Sequence, residues 1–216
     1  MALEKNNGTI FRYAVHENTV LCQIHDQLQN STEDDRDELC AWIESITEKK
    51  GEWCGPRNMV DLCEMVKRYY YSPLTKGSNS IKKVLPAILN SSPFIKEKYS
   101  QPIYGTQFKS KNFENWAWIK MDAEGKVCDP YKLLPPVFTD FDLEELDSVT
   151  TENSLADGGA AMTAYARMQF TEMSALEADR VVNALLKYCE LDTFAMVMIY
   201  EFWANEIGLI QKHKAA

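Results

Sequence analysis

Tyr188 and Asp192 stand four residues apart in LLKYCELDTFAMVMIY, residues 185 to 200. On a helix this Y-x-x-x-D spacing puts a phenol and a carboxylate on one face, one turn apart. The pair suits phosphodiester hydrolysis, in which the carboxylate holds a divalent ion, the phenol holds an attacking water in line, and the ion lowers that water's pKa. Tyrosine has a reference pKa of about 10, so Tyr188 is assigned to orienting the water through a hydrogen bond. The competing account is a helix tyrosine next to a core acid that has its own structural partner.

Asp192 also raises an energetic question. The stretch is apolar nearly all round, as a buried helix is. Leu185, Tyr188, Asp192, Ala195 and Ile199 share one side, leaving Lys187, Glu190 and Glu201 as a thin wet edge. An ionised acid buried without a partner is costly, or shifts its pKa until it is neutral. The expected compensation is an arginine, a helix cap or a metal.

Around this helix the chain offers 216 residues, 45% hydrophobic and 11% aromatic, enough for one sizeable core or one domain with a large insertion. MALEKNNGTIF lacks the basic-then-apolar pattern of a secretory signal. The longest apolar run, Phe194 to Trp203, is too short to span a bilayer and contains Glu201, so a cytoplasmic protein without membrane insertion is expected. Six cysteines show neither C-x-x-C pairing nor histidine at zinc-site spacing, and read as reduced thiols used as small apolar residues. Cys54 and His16 can be written as nucleophile and base, but no motif supports them. His25 and His213 are expected at the surface.

The formal charge of −9 argues against a general nucleic-acid coat. The average conceals an asymmetry: Arg57 to Lys132 carries 13 Lys and Arg against 7 Asp and Glu, and the remainder 10 against 25. A basic middle can meet a polyanion while the acidic ends hold metal or keep the chain dissolved.

Periodicity sets out the elements that must position these residues. A strand is expected over Thr9 to Val15. A helix capped by Asn18 or Thr19 follows, turning Val20, Leu21, Ile24 and Leu28 inward. A second helix, DELCAWIESITEKK, buries Leu39, Trp42, Ile43 and Ile46 and ends at Gly51. A third begins at VDLCEMV and turns Met65, Val66 and Tyr69 inward. SIKKVLPAIL is a short helical segment interrupted by Pro86. Residues 91–150 lack sustained period and read as a functional or peripheral insertion. Helical pattern resumes at DGGAAMTAYARMQF and runs on through EADRVVNALLKYCELDTFAMVMIYEFW. The fold class expected is α/β, predominantly helical with few strands.

Five blocks in order, RYAVHENTVL, NMVDLCEMVKRYYY, GSNSIKKVLPAIL, DGGAAMTAY and LLKYCELDT, resemble the C-terminal domain of a bacterial family known as domain of unknown function 2779. That family is similar to the DEDD exonucleases of the RNase H-like superfamily, in which four acidic residues hold two metal ions. The resemblance covers residues 8–203 and leaves 204–216 as a tail. It implies part of an RNase H-like exonuclease fold, a 3′–5′ exonuclease-like activity on DNA or RNA, and Mg2+ or Mn2+ as cofactor. Tyr188 and Asp192 correspond to the last motif in its tyrosine form, and Glu17, just past RYAVH, to the second. Asp61 in MVDL corresponds to an acid that supports the site. For Glu17 the alternative is an acid favoured by the helix macrodipole, and for Asp61 an N-cap.

Ser80, Lys82 and Lys83 in GSNSIKK are candidate phosphate contacts at a helix start, with a capped exposed turn as the alternative. Trp116 and Trp118, beside Lys111 and Lys120, are candidate base-stacking rings, with one side of a strand as the alternative. The superfamily's first motif, a D-x-E that precedes the second, has no counterpart before GTIFRYAV. Asp142 and Glu144 are spelled correctly but come too late in the chain. The resemblance therefore implies the C-terminal part of a larger protein, inactive alone and prone to associate with its missing part or with itself. The alternative function is a non-catalytic domain that binds protein or nucleic acid on a degenerate nuclease scaffold.

Overall fold

The computed structural model describes residues 8–102, 110, 112–134, 165–166, 168–170, 172 and 174–210. The chain divides into two compact units, residues 1–71 and 72–216. DGGAAMTAY falls almost wholly outside the described residues, as do Lys111, Asp142, Glu144 and His213.

In the first unit β1 (Phe11–Arg12) leads to α1 (His16–Gln29) and α2 (Arg36–Ile46). A hairpin of β2 (Glu48–Lys49) and β3 (Trp53–Cys54) follows, then β4 (Val60–Asp61) and α3 (Leu62–Tyr69). β1 and β4 pair in parallel, Phe11 opposite Val60 and Arg12 opposite Asp61. The chain leaves β1 through Ala14, whose φ of 70° is left-handed and costs an alanine about 1 kcal/mol. Asp61 Oδ1 accepts the Ala14 N–H at 3.0 Å and holds that turn.

The expected strand over Thr9 to Val15 is thus confined to two residues, and α1 begins earlier than Asn18 or Thr19 would place it. Asn18 is committed elsewhere: its amide donates to the Glu48 carbonyl at 2.8 Å and accepts the Glu48 N–H at 2.9 Å. This clamp fixes the rotation of α1, so that Asn18, Cys22 and His25 face β2 and α2 while Val20 and Ile24 stay 36% and 39% exposed. His25, expected at the surface, is only 2% exposed. Its Nε2 lies 2.9 Å from Glu44 Oε1, and its ring 4.7 Å from that of Trp53.

α2 buries Ile43 and Ile46 and stops at Thr47, whose backbone is extended. The Thr47 hydroxyl donates to the Ile43 carbonyl at 2.6 Å and accepts the Trp53 indole N–H at 3.0 Å. Gly51, expected to end α2, instead turns the hairpin at a φ of 84°. Gly55 packs its backbone so tightly on the end of α2 that a Cβ there would collide with the Glu44 and Ser45 carbonyls. α3 buries Leu62, Cys63 and Val66 but leaves Tyr69 77% exposed, because Tyr70 turns extended and ends the helix there.

The second unit contains a short turn at Pro73–Thr75, α4 (Ile81–Ser91) and α5 (Pro93–Tyr99). Met121 and Val127 form an antiparallel bridge, a 3-10 turn spans Pro130–Leu133, and α6 (Ala175–Glu206) runs for 32 residues. α6 packs on α4 and α5. α4 continues through Pro86, which was expected to interrupt it. Proline removes one backbone bond, but burial of Ile81, Val84, Leu85, Ile88 and Leu89 on the same helix outweighs that loss.

α6 is buried along Ala184, Tyr188, Leu191, Ala195 and Met198, a helical stripe, while Leu186 and Tyr200 are 48% and 43% exposed. Among the described residues its buried positions lie along one side, and Asp192 is half-buried at the margin of the stripe. The expected wet edge is drawn inward instead. Lys187 lies over the Phe113 ring at 5.7 Å, Glu190 accepts the Asn112 amide at 2.6 Å, and Glu201 takes both Lys98 and Tyr99.

The described part of region 91–150 supplies Phe113, Trp118, Ile119, Val127 and Tyr131 to the core of this unit. Trp118 is 1% exposed and stacks on Phe194 at 5.8 Å, so packing, and not a nucleic-acid base, occupies its face. Trp116 carries Lys120 over its ring at 4.4 Å. No helix among the described residues is long and apolar enough to cross a membrane. All six cysteines are free. The architecture is predominantly helical, with two two-stranded sheets among the described residues.

Candidate active site

One partner of Asp192 is a tyrosine from the aperiodic region. Tyr131 donates its hydroxyl to Asp192 Oδ1 at 2.8 Å, across 61 residues of sequence. Its position follows from local chemistry. Asp129 caps the 3-10 turn by accepting the Tyr131 N–H at 3.0 Å, and Pro130 sets the backbone at the turn's first position. Tyr131 is 7% exposed, and its ring tilts against that of Tyr188 with centroids 6.1 Å apart.

Tyr188 itself is 4% exposed. Lys82, in the first turn of α4, places its ammonium 5.6 Å from the centre of the Tyr188 ring, within cation–π range. Three stretches far apart in sequence, α4, the 130–133 turn and α6, thereby gather Lys82, Tyr131, Tyr188 and Asp192. Asp129 adds a carboxyl that burial pushes above its ordinary value, opposed by its bond from the Tyr131 N–H and by Lys132, Lys83 and Lys82. Burial wins because the lysines act at a distance.

Ser80 accepts the Lys82 N–H at 3.3 Å as the N-cap of α4. Lys83 is exposed. Lys82 is half-buried, turned toward the tyrosine ring.

Glu17 and Asp61 belong to the first unit. Asp61 Oδ1 accepts the N–H groups of Ala14, Cys63 and Glu64 at 3.0, 2.9 and 3.3 Å. Its Oδ2 lies 3.5 Å from Arg12 Nε, and the two side chains are only 10% and 13% exposed. Three donors and a guanidinium leave Asp61 poorly suited to a cation, and the N-cap alternative describes its contacts. Glu17 differs. It sits in the first turn of α1, just past β1, and its Oε2 is buried with no hydrogen-bond donor. A buried acceptor without a donor calls for an explanation, and a cation supplies one. Among the described residues no three His, Cys, Asp or Glu side chains group to hold a metal ion.

No family model, curated protein or solved structure matches the chain. The site therefore stands on its own geometry.

Sequence reasoning found Tyr188, Asp192 and Lys82 but did not single out Tyr131, Asp129 or Arg12 as site neighbours. One signal was present: D-P-Y is a cap, a φ-restricting proline and an aromatic, which marks a rigid turn within an otherwise aperiodic stretch. Nothing in the spelling says that this turn meets the last helix.

Proposed function

We propose that the chain is a metal-dependent nuclease-like domain that hydrolyses phosphodiester bonds in DNA or RNA, on the RNase H-like exonuclease pattern. The observation that carries the reading is the gathering of Lys82, Tyr131, Tyr188 and Asp192 in one unit, a cation, two phenols and a carboxylate drawn from three separate stretches. Glu17 fits a metal through its donor-less oxygen, and Asp192 fits through its carboxylate; Asp61 does not fit and is assigned instead to holding the Ala14 turn and the start of α3. When bound, Mg2+ or Mn2+ would neutralise phosphate charge and lower the pKa of water. The chain's own residues do the rest. Tyr188 orients the attacking water by its hydroxyl, Lys82 fixes the phenol ring and brings positive charge to it, and exposed Lys83 meets the phosphate backbone.

The test is cleavage of end-labelled single strands of DNA and RNA with added Mn2+, comparing the native chain with Asp192→Asn and Tyr188→Phe. Loss of cleavage in Asp192→Asn is expected, and undiminished cleavage there removes the assigned role.

A second reading, a non-catalytic binding domain, draws support from the 4% exposure of Tyr188 and from the full engagement of Asp61. It requires that calorimetry detect no Mn2+ binding at millimolar metal. The exposed side chains of Val15, Val20, Ile24 and Val60 support association of the first unit with another protein surface or with a second copy. Sedimentation showing a monomer at all concentrations would count against self-association.

A further inference from the structure

Large aromatic rings leave water when the fold offers them a partner, so two neighbouring rings kept in solvent point to a partner outside the fold. In KRYYY, residues 67–71, Tyr69 is 77% exposed and Tyr71 89%. Neither ring has a hydrogen bond or ring contact within the described residues. The backbone produces this arrangement. α3 ends at Tyr69, and Tyr70 turns extended, with φ −116° and ψ 127°, while its N–H donates to the Val66 carbonyl at 3.0 Å. Tyr70 is the ring of the three that goes inward: it is half-buried and its hydroxyl oxygen is covered. Across one extended residue the Cα atoms of Tyr69 and Tyr71 stand about 7 Å apart, which is twice the ~3.4 Å rise between stacked bases. That spacing admits one base between two phenol rings.

Charge beside the rings has one sign in excess. Lys67 and Arg68 are both exposed and share the single carboxylate of Glu64, at 2.7 and 4.0 Å. Arg68 keeps 68% of its side chain in solvent, so its guanidinium is open to a further anion. The sequence extends the bias: from Met65 to Lys96 there are six Lys and Arg and no Asp or Glu, in a chain of formal charge −9. An acid-free stretch in an acidic chain is where a polyanion meets the least repulsion.

We propose that Lys67, Arg68, Tyr69 and Tyr71 form a binding surface for unpaired DNA or RNA, the two cations meeting phosphates and the two phenol rings stacking on bases. An acidic peptide answers the cations and leaves the rings unused. A duplex keeps its base faces stacked on one another; a single strand presents phosphates and open base faces together. The surface belongs to the first unit, and binding there needs neither Tyr188 nor Asp192, so it stands or falls separately from the nuclease reading.

The test is fluorescence anisotropy of the full chain with end-labelled single-stranded oligothymidylate and oligouridylate, in chelator so that metal-dependent cleavage plays no part. Tyr69→Ala and Tyr71→Ala are each expected to weaken binding about 5-fold to 150-fold, the range that loss of one stacked base gives. Tyr69→Phe keeps the ring and should bind within about 2-fold of the native chain. Lys67→Gln combined with Arg68→Gln should flatten the dependence of log affinity on log salt by about 1.4, at about 0.7 for each phosphate contact. Urea midpoints of the tyrosine variants should match the native chain, which separates lost binding from lost fold. A preference for one of the two strands decides between DNA and RNA and supports the surface either way. Native affinity in both alanine variants overturns the proposal, and so does absence of binding by the native chain at low salt. A duplex that binds as tightly as the single strand overturns the stacking role, and displacement of the oligonucleotide by polyglutamate at matched charge overturns the proposal in favour of an acidic peptide.

Discussion

Replacing Asp61 by alanine removes several connections at once. The first unit is held where the two parallel strands end, and Asp61 is the group that ties them to both following helices. Its Oδ1 accepts three backbone N–H groups and its Oδ2 faces the nearly buried Arg12. Loss of the helix cap costs about 1 kcal/mol. Loss of a charged acceptor for the Ala14 N–H, in a turn already strained by a φ of 70°, adds about 1.5–3 kcal/mol. Arg12 is then left without its carboxylate, so the expected total for Asp61→Ala is about 3–5 kcal/mol, the contributions overlapping and not simply adding. Asp61→Asn keeps an oxygen that can accept the three N–H groups and loses only the charge opposite Arg12, so about 1–2 kcal/mol is expected.

The assay is urea unfolding of the full chain in the presence of a chelator, combined with hydrogen exchange followed by mass spectrometry over residues 8–71. Ala14, Cys63 and Glu64 should lose protection together in Asp61→Ala. With a urea dependence of about 1–2 kcal/mol per molar for so small a unit, the midpoint of its transition should fall by roughly 3 M. If Asp61→Ala shifts the metal-free stability of this unit by less than about 1 kcal/mol, the structural assignment fails, and ligation becomes the better account of Asp61.

Asp129→Asn tests the buried carboxyl. Its folded-state pKa lies above the ordinary 3.8, so its contribution to stability is complete below that value and is lost as pH rises through the folded value. Asparagine keeps the capping oxygen, so the native second unit should lose stability relative to Asp129→Asn as pH is raised from about 3 toward 7. A pH-independent difference in urea midpoint would refute this. Gly55→Ala forces a Cβ into the Glu44 and Ser45 carbonyls and should lower the first unit's stability by about 1–3 kcal/mol, with early loss of protection at the end of α2. Glu201 accepts from the Lys98 ammonium at 2.7 Å to each oxygen and from the Tyr99 hydroxyl at 2.6 Å. A double-mutant cycle of Glu201→Gln and Tyr99→Phe should give a coupling energy of about 1–2 kcal/mol by urea unfolding; additive effects would mean that the contact carries no net energy.

What the sequence determined by itself follows from periods and local chemistry. Y-x-x-x-D dictates a shared helix face, the buried Ile43 and Ile46 of α2 follow from their spacing while Leu39 and Trp42 are only half-buried, and Asp61 was readable as an N-cap because an acid before Leu-Cys-Glu can serve the first turn. Tertiary structure decided the rest, because rotation of a helix about its axis is set by what it packs against. α1 turned His25 inward and Ile24 outward once Asn18 bonded the backbone of Glu48, thirty residues on. Pro86 sat inside a helix because a buried apolar face outweighed one missing bond. This partner of Asp192 was hidden for the same reason: a hydroxyl 61 residues away leaves no trace in local spacing, and only packing of the 130–133 turn against α6 brings it within reach.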